Sequence, residues 1–225
     1  RLRHSWRDGR ARHPATLDDY AMMCQAALAL FEATGEERYV KQADRWLETI
    51  EAQFLDKDRG GYYFTAADTP ALITRTKHAN DNATPSGNGT LVSVFAKLFF
   101  ITGETKYRER ADRIVTAFSG ELQENFFPLS TFLNGAEFLQ SATQIVIAGT
   151  PGAVDTDALE RVVAGSSLPN RLLVRKSPGH ELPPSHPAAG KEMQDGSATA
   201  YVCHGMTCSP PITDPDALKR ELTER

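Results

Sequence analysis

Leu30-Phe31-Glu32-Ala33-Thr34-Gly35-Glu36-Glu37-Arg38-Tyr39, running on to Ala43-Asp44-Arg45, returns 68 residues later as Leu98-Phe99-Phe100-Ile101-Thr102-Gly103-Glu104-Thr105-Lys106-Tyr107 with Ala111-Asp112-Arg113. A fixed period reports an architecture rather than a single element. Each copy reads as a helical hairpin. Gly35 and Gly103 supply the left-handed stop that other residues reach only at a cost, and Glu36 and Glu104 suit the positive start of the next helix. In that second helix Tyr39, Ala43, Trp46, Leu47 and Ile50 recur at spacings of 3 and 4, while Lys41, Asp44, Arg45 and Glu48 fall mostly opposite. This predicts an outer, half-exposed helix. The first helices differ: Tyr20 to Ala33 has one charged residue, Glu32, and Thr90 to Ile101 only Lys97. Each must be buried on most sides, as an inner helix. Inner and outer helices at a period near seventy predict consecutive hairpins of an α/α toroid; a four-helix bundle hides one stripe per helix, not a whole circumference.

Working outward, Gly60-Gly61-Tyr62-Tyr63-Phe64-Thr65 and Ala71-Leu72-Ile73-Thr74-Arg75-Thr76-Lys77 read as the two strands of a short β-hairpin. After about residue 125 the rhythm is lost. Leu129 to Ala142 reads as one more helix, Gln144 to Ala148 as a buried strand, Asp155 to Ala164 as a helix and Arg171 to Arg175 as a second strand. Pro178 to Ser197, rich in Pro, Gly, Ser and His, reads as a surface loop. The expected fold is mainly α: helical hairpins of an incomplete toroid over 1–142, then a small α/β extension over 143–225.

The 225 residues are 40% hydrophobic and 24% charged, which excludes disorder over the whole length. A net charge of -4 leaves no overall basic field for a phosphate backbone, so nucleic acid is not expected as a partner. Apolar runs such as Ala26 to Phe31 fall far short of the roughly 20 residues of a membrane-spanning helix. Three cysteines, unevenly placed, do not make a secreted disulfide framework, so the expectation is a reducing compartment and a cytoplasmic location. The opening Arg1-Leu2-Arg3-His4-Ser5-Trp6 carries neither an initiator Met nor a signal pattern and reads as the middle of a longer protein. Hairpins missing from such a piece would bare the flanks of Tyr20 to Ala33, so self-association is expected.

The repeat sets Asp18-Asp19-Tyr20 against Ser86-Gly87-Asn88, both where an inner helix begins. If the inner helices form a ring, these ends gather at one rim. The polar segment Arg75 to Asn88, with Lys77 and Asp81, adds to it. Asp18, Asp19 and Asp81 are candidates for acid/base work or hydroxyl binding; Tyr20, Tyr62, Tyr63, Lys77, Ser86 and Asn88 are candidates for substrate contact, the tyrosine rings offering faces to a sugar's C–H surface. Helix capping is the competing reading, because Thr16 and Ser86 are good N-cap residues and Asp18 and Asp19 favour a first turn. Cys203-His204-Gly205-Met206-Thr207-Cys208 has zinc-ligand spacing without a second ligand pair, apart from His180 and His186, so no metal is assigned and a plain thiol pair is the reading preferred to redox or zinc chemistry. Gly149-Thr150-Pro151-Gly152 lacks the Lys-Ser/Thr ending of a phosphate loop, and neither Gly-x-Ser-x-Gly nor His-Glu-x-x-His occurs. No cofactor is expected.

Leu17-Asp18-Asp19-Tyr20-Ala21, Gly60 to Thr65, Arg75-Thr76-Lys77, Asp81, Pro85-Ser86-Gly87-Asn88, and Ala200-Tyr201-Val202-Cys203 with Cys208 occur in the order seen in a known family. Along nearly its full length the chain resembles the C-terminal part of the thioredoxin-domain-containing proteins related to spermatogenesis-associated protein 20. The resemblance implies a toroid of the six-hairpin glycosidase type, similar to N-acylglucosamine 2-epimerases and glycoside hydrolases, preceded in the longer protein by a thioredoxin-like domain. It implies a carbohydrate-binding or carbohydrate-processing domain; the alternative is a non-catalytic interaction module serving the thioredoxin-like domain. Fold analogy alone carries the carbohydrate link.

Overall fold

The computed structural model describes residues 1–69 and 73–223. Ala71 and Leu72 of the expected hairpin lie outside them. The described chain divides into two compact units: 1–99 with 104–139, and 100–103 with 140–225. It is mainly α with some β.

The first unit opens with an antiparallel ribbon of β1 (Arg3–Arg7) and β2 (Arg10–Pro14). Asp8 and Gly9 between them have φ of 51° and 72°, the two consecutive left-handed residues of a type I′ turn, for which Asp-Gly is a preferred pair. Helices α1 (Leu17–Thr34) and α2 (Glu37–Gln53) follow, then α3 (Gly87–Thr102) and α4 (Thr105–Glu124), and after a 3-10 turn at Phe127–Leu129 comes α5 (Ser130–Ser141). The repeat holds at the helix ends: α1 and α3 stop at Thr34 and Thr102, and Gly35 and Gly103 carry φ of 73° and 69°. The Gly35 N–H donates to Phe31 O at 2.7 Å, closing the last turn of α1. The starts lie earlier than hydropathy indicates, because polar residues with capping chemistry sit inside the first turn.

Burial separates inner from outer helices. In α3 every residue from Gly87 to Leu98 except Ser93 and Lys97 is buried, whereas α2 buries only Ala43, Leu47 and Ile50, and α4 Tyr107, Ala111, Ile114 and Phe118. Burying an aliphatic or aromatic side chain contributes about 1.5–3 kcal/mol, so the inner helix carries much of the unit's hydrophobic stabilisation. Helix α1 departs from full burial. Tyr20, Cys24, Leu28 and Phe31 are covered, yet Met23, Ala26, Ala29, Leu30 and Ala33 form an exposed apolar stripe.

The hairpin expected at Gly60–Thr65 and Ala71–Lys77 is not a ladder among the described residues. Gly60 and Gly61 are both left-handed, at 73° and 68°, which turns the chain out of extended geometry. What remains is an isolated bridge from Leu55 to Tyr62 and one bond from Phe64 N–H to Thr76 O.

The second unit is a βαβ motif with an antiparallel addition. Strands β3 (Thr143–Ala148) and β4 (Arg171–Lys176) are parallel, joined through α6 (Val154–Gly165). β5 (Thr199–His204) lies antiparallel on the other side of β3, and β6 (Thr207–Cys208) on β5, giving the order β4-β3-β5-β6. α7 (Pro215–Thr223) closes the unit. Ile145, Ile147, Leu173, Ala200 and Val202 on one sheet face pack with Leu159, Val163, Leu218 and Leu222 of the helices. Hydropathy alone did not reveal β5 or α7. Cys203 and Cys208 are not a plain thiol pair: they are joined in a disulfide.

Candidate functional site

The starts of α1, α3 and α5 are tied together through the carboxylates of Asp18 and Asp81. Asp18 Oδ1 accepts the Gly87 N–H at 2.8 Å, so the first turn of α1 holds the first turn of α3. A Cβ at Gly87 would stand 2.6 Å from that oxygen and 2.7 Å from Leu17; only glycine permits the approach. Asp81 accepts the Ser86 N–H at 2.9 Å with one oxygen and the Thr131 N–H at 2.7 Å with the other, bridging α3 to α5. Asp19 Oδ2 accepts from the Thr16 N–H at 2.7 Å and the Thr16 hydroxyl at 2.9 Å, and His4 of the ribbon lies 2.9 Å away. Carboxylates at helix N-termini meet unpaired N–H groups and the positive end of the dipole. Asp18 and Asp81 bond consecutive amides, so these oxygens lie at most about 9 Å apart.

Asn88 replaces the missing strand partner of Tyr62. Its amide oxygen accepts the Tyr62 N–H at 2.9 Å, and its amide nitrogen donates to Tyr62 O and His78 O, each at 2.9 Å. Both backbone groups of Tyr62 are therefore satisfied without a ladder. Ser86 works nearby, donating its hydroxyl to Ala79 O at 2.6 Å and accepting the Gly89 N–H.

The tyrosines and Lys77 are likewise engaged. Tyr20 is buried, and its hydroxyl accepts the Leu2 N–H at 3.1 Å. Tyr62 is buried against Phe95 and donates to Glu51 Oε1 at 2.5 Å; burial, reinforced by Glu51, pushes its phenol well above the usual range. Neither offers an open face to a ligand. Tyr63 carries the Arg75 guanidinium 4.2 Å above its ring. Lys77 donates to Asp56 Oδ2 at 2.7 Å and to Gly60 O at 2.6 Å. That ammonium, foremost, and the Asp58 and Arg59 amides hold the buried Asp56 carboxyl far below its ordinary value.

Asp18 stands apart. It is half-buried, desolvation raises its pKa against the opposing pull of the Gly87 amide, and among the described residues its second oxygen meets no hydrogen-bond donor. Asp81 and Asp19 spend both oxygens. Among the described residues no three His, Cys, Asp or Glu side chains group as a metal would require, and no helix is long and apolar enough to cross a membrane.

The feature that hydropathy missed is the ribbon. The first fourteen residues hold five arginines and one aspartate in a chain of net charge -4. Register pairs Ser5 with Arg12, Arg7 with Arg10 and Arg3 with Pro14, and cross-strand partners and alternate residues share a face. Arg3, Arg7, Arg10 and Arg12 therefore lie on one side, with Trp6 and Ala11 on the other. All four are exposed, Trp6 is 73% exposed, and among the described residues Arg3, Arg10 and Arg12 meet no carboxylate at ion-pair distance. The Asp-Gly pair between two arginine-bearing stretches was the available signal.

No protein-family model matches the chain. Human spermatogenesis-associated protein 20 is 32% identical over 212 residues, covering 92% of this chain and 27% of the human protein, and the mouse protein matches with the same identity and coverage. The rat protein is 30% identical over 211 residues, with the same shares covered. The chain thus spans about a quarter of the length of these curated relatives. Over nine-tenths of its residues, the chain is homologous to spermatogenesis-associated protein 20.

Proposed function

We propose that the chain is a non-catalytic interaction module within a longer protein and that it docks an acidic protein surface on the arginine face of β1 and β2. The thioredoxin-like domain implied by the resemblance is the partner it would serve. The observation that carries this reading is the one-sided placement of Arg3, Arg7, Arg10 and Arg12, of which Arg3, Arg10 and Arg12 meet no carboxylate among the described residues while Arg7 lies 3.6 Å from Asp8, on a ribbon anchored to α1 through His4–Asp19 and Leu2–Tyr20. Guanidinium groups present rigid forks that match carboxylates two bonds at a time. A ribbon closed by a type I′ turn holds them in place, so less ordering entropy is lost on binding. The structural engagement of Asp19, Asp81, Tyr62 and Lys77 supports the same reading, since groups already committed to the fold are poorly disposed to turnover.

The test is titration of the protein into fluorescein-labelled poly-L-glutamate at several salt concentrations, beside the triple variant Arg3→Glu, Arg10→Glu, Arg12→Glu. Binding that weakens steeply with salt and falls more than about tenfold in the variant is expected. Equal binding by both proteins, or a preference for duplex DNA over poly-L-glutamate, overturns the proposal.

A carbohydrate-binding rim, in a toroid completed by the rest of the longer protein, is the second reading. Asp18 favours it: a half-buried carboxylate with one unbonded oxygen is suited to accepting from a ligand hydroxyl. Hydrolysis is less well supported, because it needs a second working carboxyl and both oxygens of Asp81 are spent on backbone amides. Thermal-shift screening with monosaccharides should stabilise the native protein and not the Asp18→Asn variant. Identical shifts in the two remove Asp18 from any sugar site.

A further inference from the structure

We propose that Cys203 and Cys208 form a reversible dithiol–disulfide site that exchanges with low-molecular-weight thiols and disulfides while the protein stays folded. The two residues are Cα partners across β5 and β6, with a Cα–Cα separation of 3.9 Å, next to the turn at Gly205 and Met206. β6 is a two-residue edge strand. His204, Gly205, Met206 and Thr207 are exposed and Cys208 is partly so, while Cys203 is buried in β5. Of the two cysteines, Cys208 is therefore the more exposed.

The bridge closes a loop that other bonds already close. Ser209 N–H donates to Val202 O at 2.8 Å, Val202 N–H donates to the Ser209 hydroxyl at 3.1 Å, and Ala200 and Ile212 exchange both backbone bonds at 2.8 and 3.0 Å. Gly205, at φ 57°, fits the turn on its own. A disulfide stabilises chiefly by closing a loop in the unfolded chain, least for the shortest loops. Opening this one leaves the hairpin's native bonds in place, so reduction need not wait for unfolding. The third cysteine provides contrast: Cys24 is buried in α1, donates to Ala43 O, and has its pKa pushed up to about 12 by burial.

The exchange balances in two steps. A reductant thiolate attacks Cys208 Sγ, forming a mixed disulfide and releasing Cys203 as the thiolate, which takes up a proton. A second reductant thiolate attacks the reductant sulfur of the mixed disulfide and releases Cys208 as its thiolate, which is protonated in turn. Two reductant thiols become one disulfide, and the protein gains two electrons and two protons. Oxidised glutathione runs the sequence backwards.

The native protein is equilibrated in glutathione buffers of stepped reduced-to-oxidised ratio, trapped at about pH 7 with excess N-ethylmaleimide without denaturant, and weighed intact. Two labels are expected in up to about 10 mM reduced glutathione, lost again on return to oxidised glutathione, with Cys24 unlabelled until the chain is denatured. Single variants report the direction of attack: Cys208 in Cys203→Ser should capture glutathione at least about tenfold faster than the buried thiol in Cys208→Ser. A bond that stays closed in the native protein and opens only in urea makes the disulfide a structural staple and overturns the proposal. Equal rates in the two single variants overturn attack at Cys208.

Discussion

Replacing Asn88 tests how the rim is built. Its carboxamide is 1% exposed and makes three bonds of 2.9 Å, one accepted from the Tyr62 N–H and two donated to the carbonyls of Tyr62 and His78. Asn88→Ala removes all three partners; at about 1 kcal/mol net for each bond, with some water entering the space, the loss is about 3 kcal/mol. Asn88→Asp keeps the shape and the accepted bond but turns both donated bonds into oxygen facing oxygen. In its ionised form it also buries an uncompensated charge, so at pH 7.5 the loss should exceed that of Asn88→Ala, at about 4–5 kcal/mol. Protonation returns one donor. The introduced carboxyl therefore has a folded pKa above its unfolded one. Its penalty relative to wild type opens as pH rises past the unfolded value, reaches its full size above the folded value, and closes again on acidification. Urea unfolding followed by the fluorescence of Trp46 in α2, with Trp6→Phe as the common background, measures both variants at pH 7.5 and 4.5. Asn88→Asp should be the less stable at pH 7.5 and should recover about 2 kcal/mol against the background protein at pH 4.5. If Asn88→Asp lies within 1 kcal/mol of the background at pH 7.5, or shows the same deficit at both pH values, the carboxamide is not standing in for a strand partner.

Other consequences follow from neighbouring contacts. A double-mutant cycle of Asp56→Asn and Lys77→Met should give a coupling of about 1.5–3 kcal/mol in urea unfolding, as for other charge-assisted bonds. Because Lys77 lowers the Asp56 pKa, this stabilisation is present above the ordinary carboxylate value and declines as pH falls towards the folded one; a coupling that grows on acidification contradicts the assignment. His186 is buried, and burial lowers its pKa to about 4, so its contribution is complete above about 6.5 and is lost as pH drops from there to about 4; His186→Gln should flatten that limb of the stability profile. Gly87→Ala pushes a methyl group against Leu17 and Asp18 and should cost about 1–3 kcal/mol by urea unfolding. The exposed stripe of Met23, Ala26, Leu30 and Ala33 should drive concentration-dependent association in light scattering, suppressed by Leu30→Glu; a clean monomer at high concentration excludes it.

How far the sequence is legible depends on whether a residue's role is set by its neighbours in the chain or by a distant segment. Thr34-Gly35 and Thr102-Gly103 stop their helices through local backbone geometry, so a 68-residue comparison finds both helix ends and the outer stripes. The aromatic run at Gly60–Thr65 has strand composition, yet its fate turns on Asn88, 26 residues beyond Tyr62, whose side chain takes the bonds a strand would have made. No window centred on the run contains that residue. Asp18 and Ser86 are findable as polar residues at helix starts and Asp81 as part of the polar segment before α3, but ligand contact and helix capping use the same chemical types, and only the positions of the Gly87 and Thr131 amides separate the roles. The arginine ribbon is the reverse case. Its turn and alternation are local and were legible; the chain's negative net charge concealed them, because a sum over 225 residues erases a segment of fourteen. An electrostatic exclusion drawn from net charge therefore applies to the molecule's long-range field, while docking is decided by the charges that one exposed face gathers within a Debye length of about 8 Å.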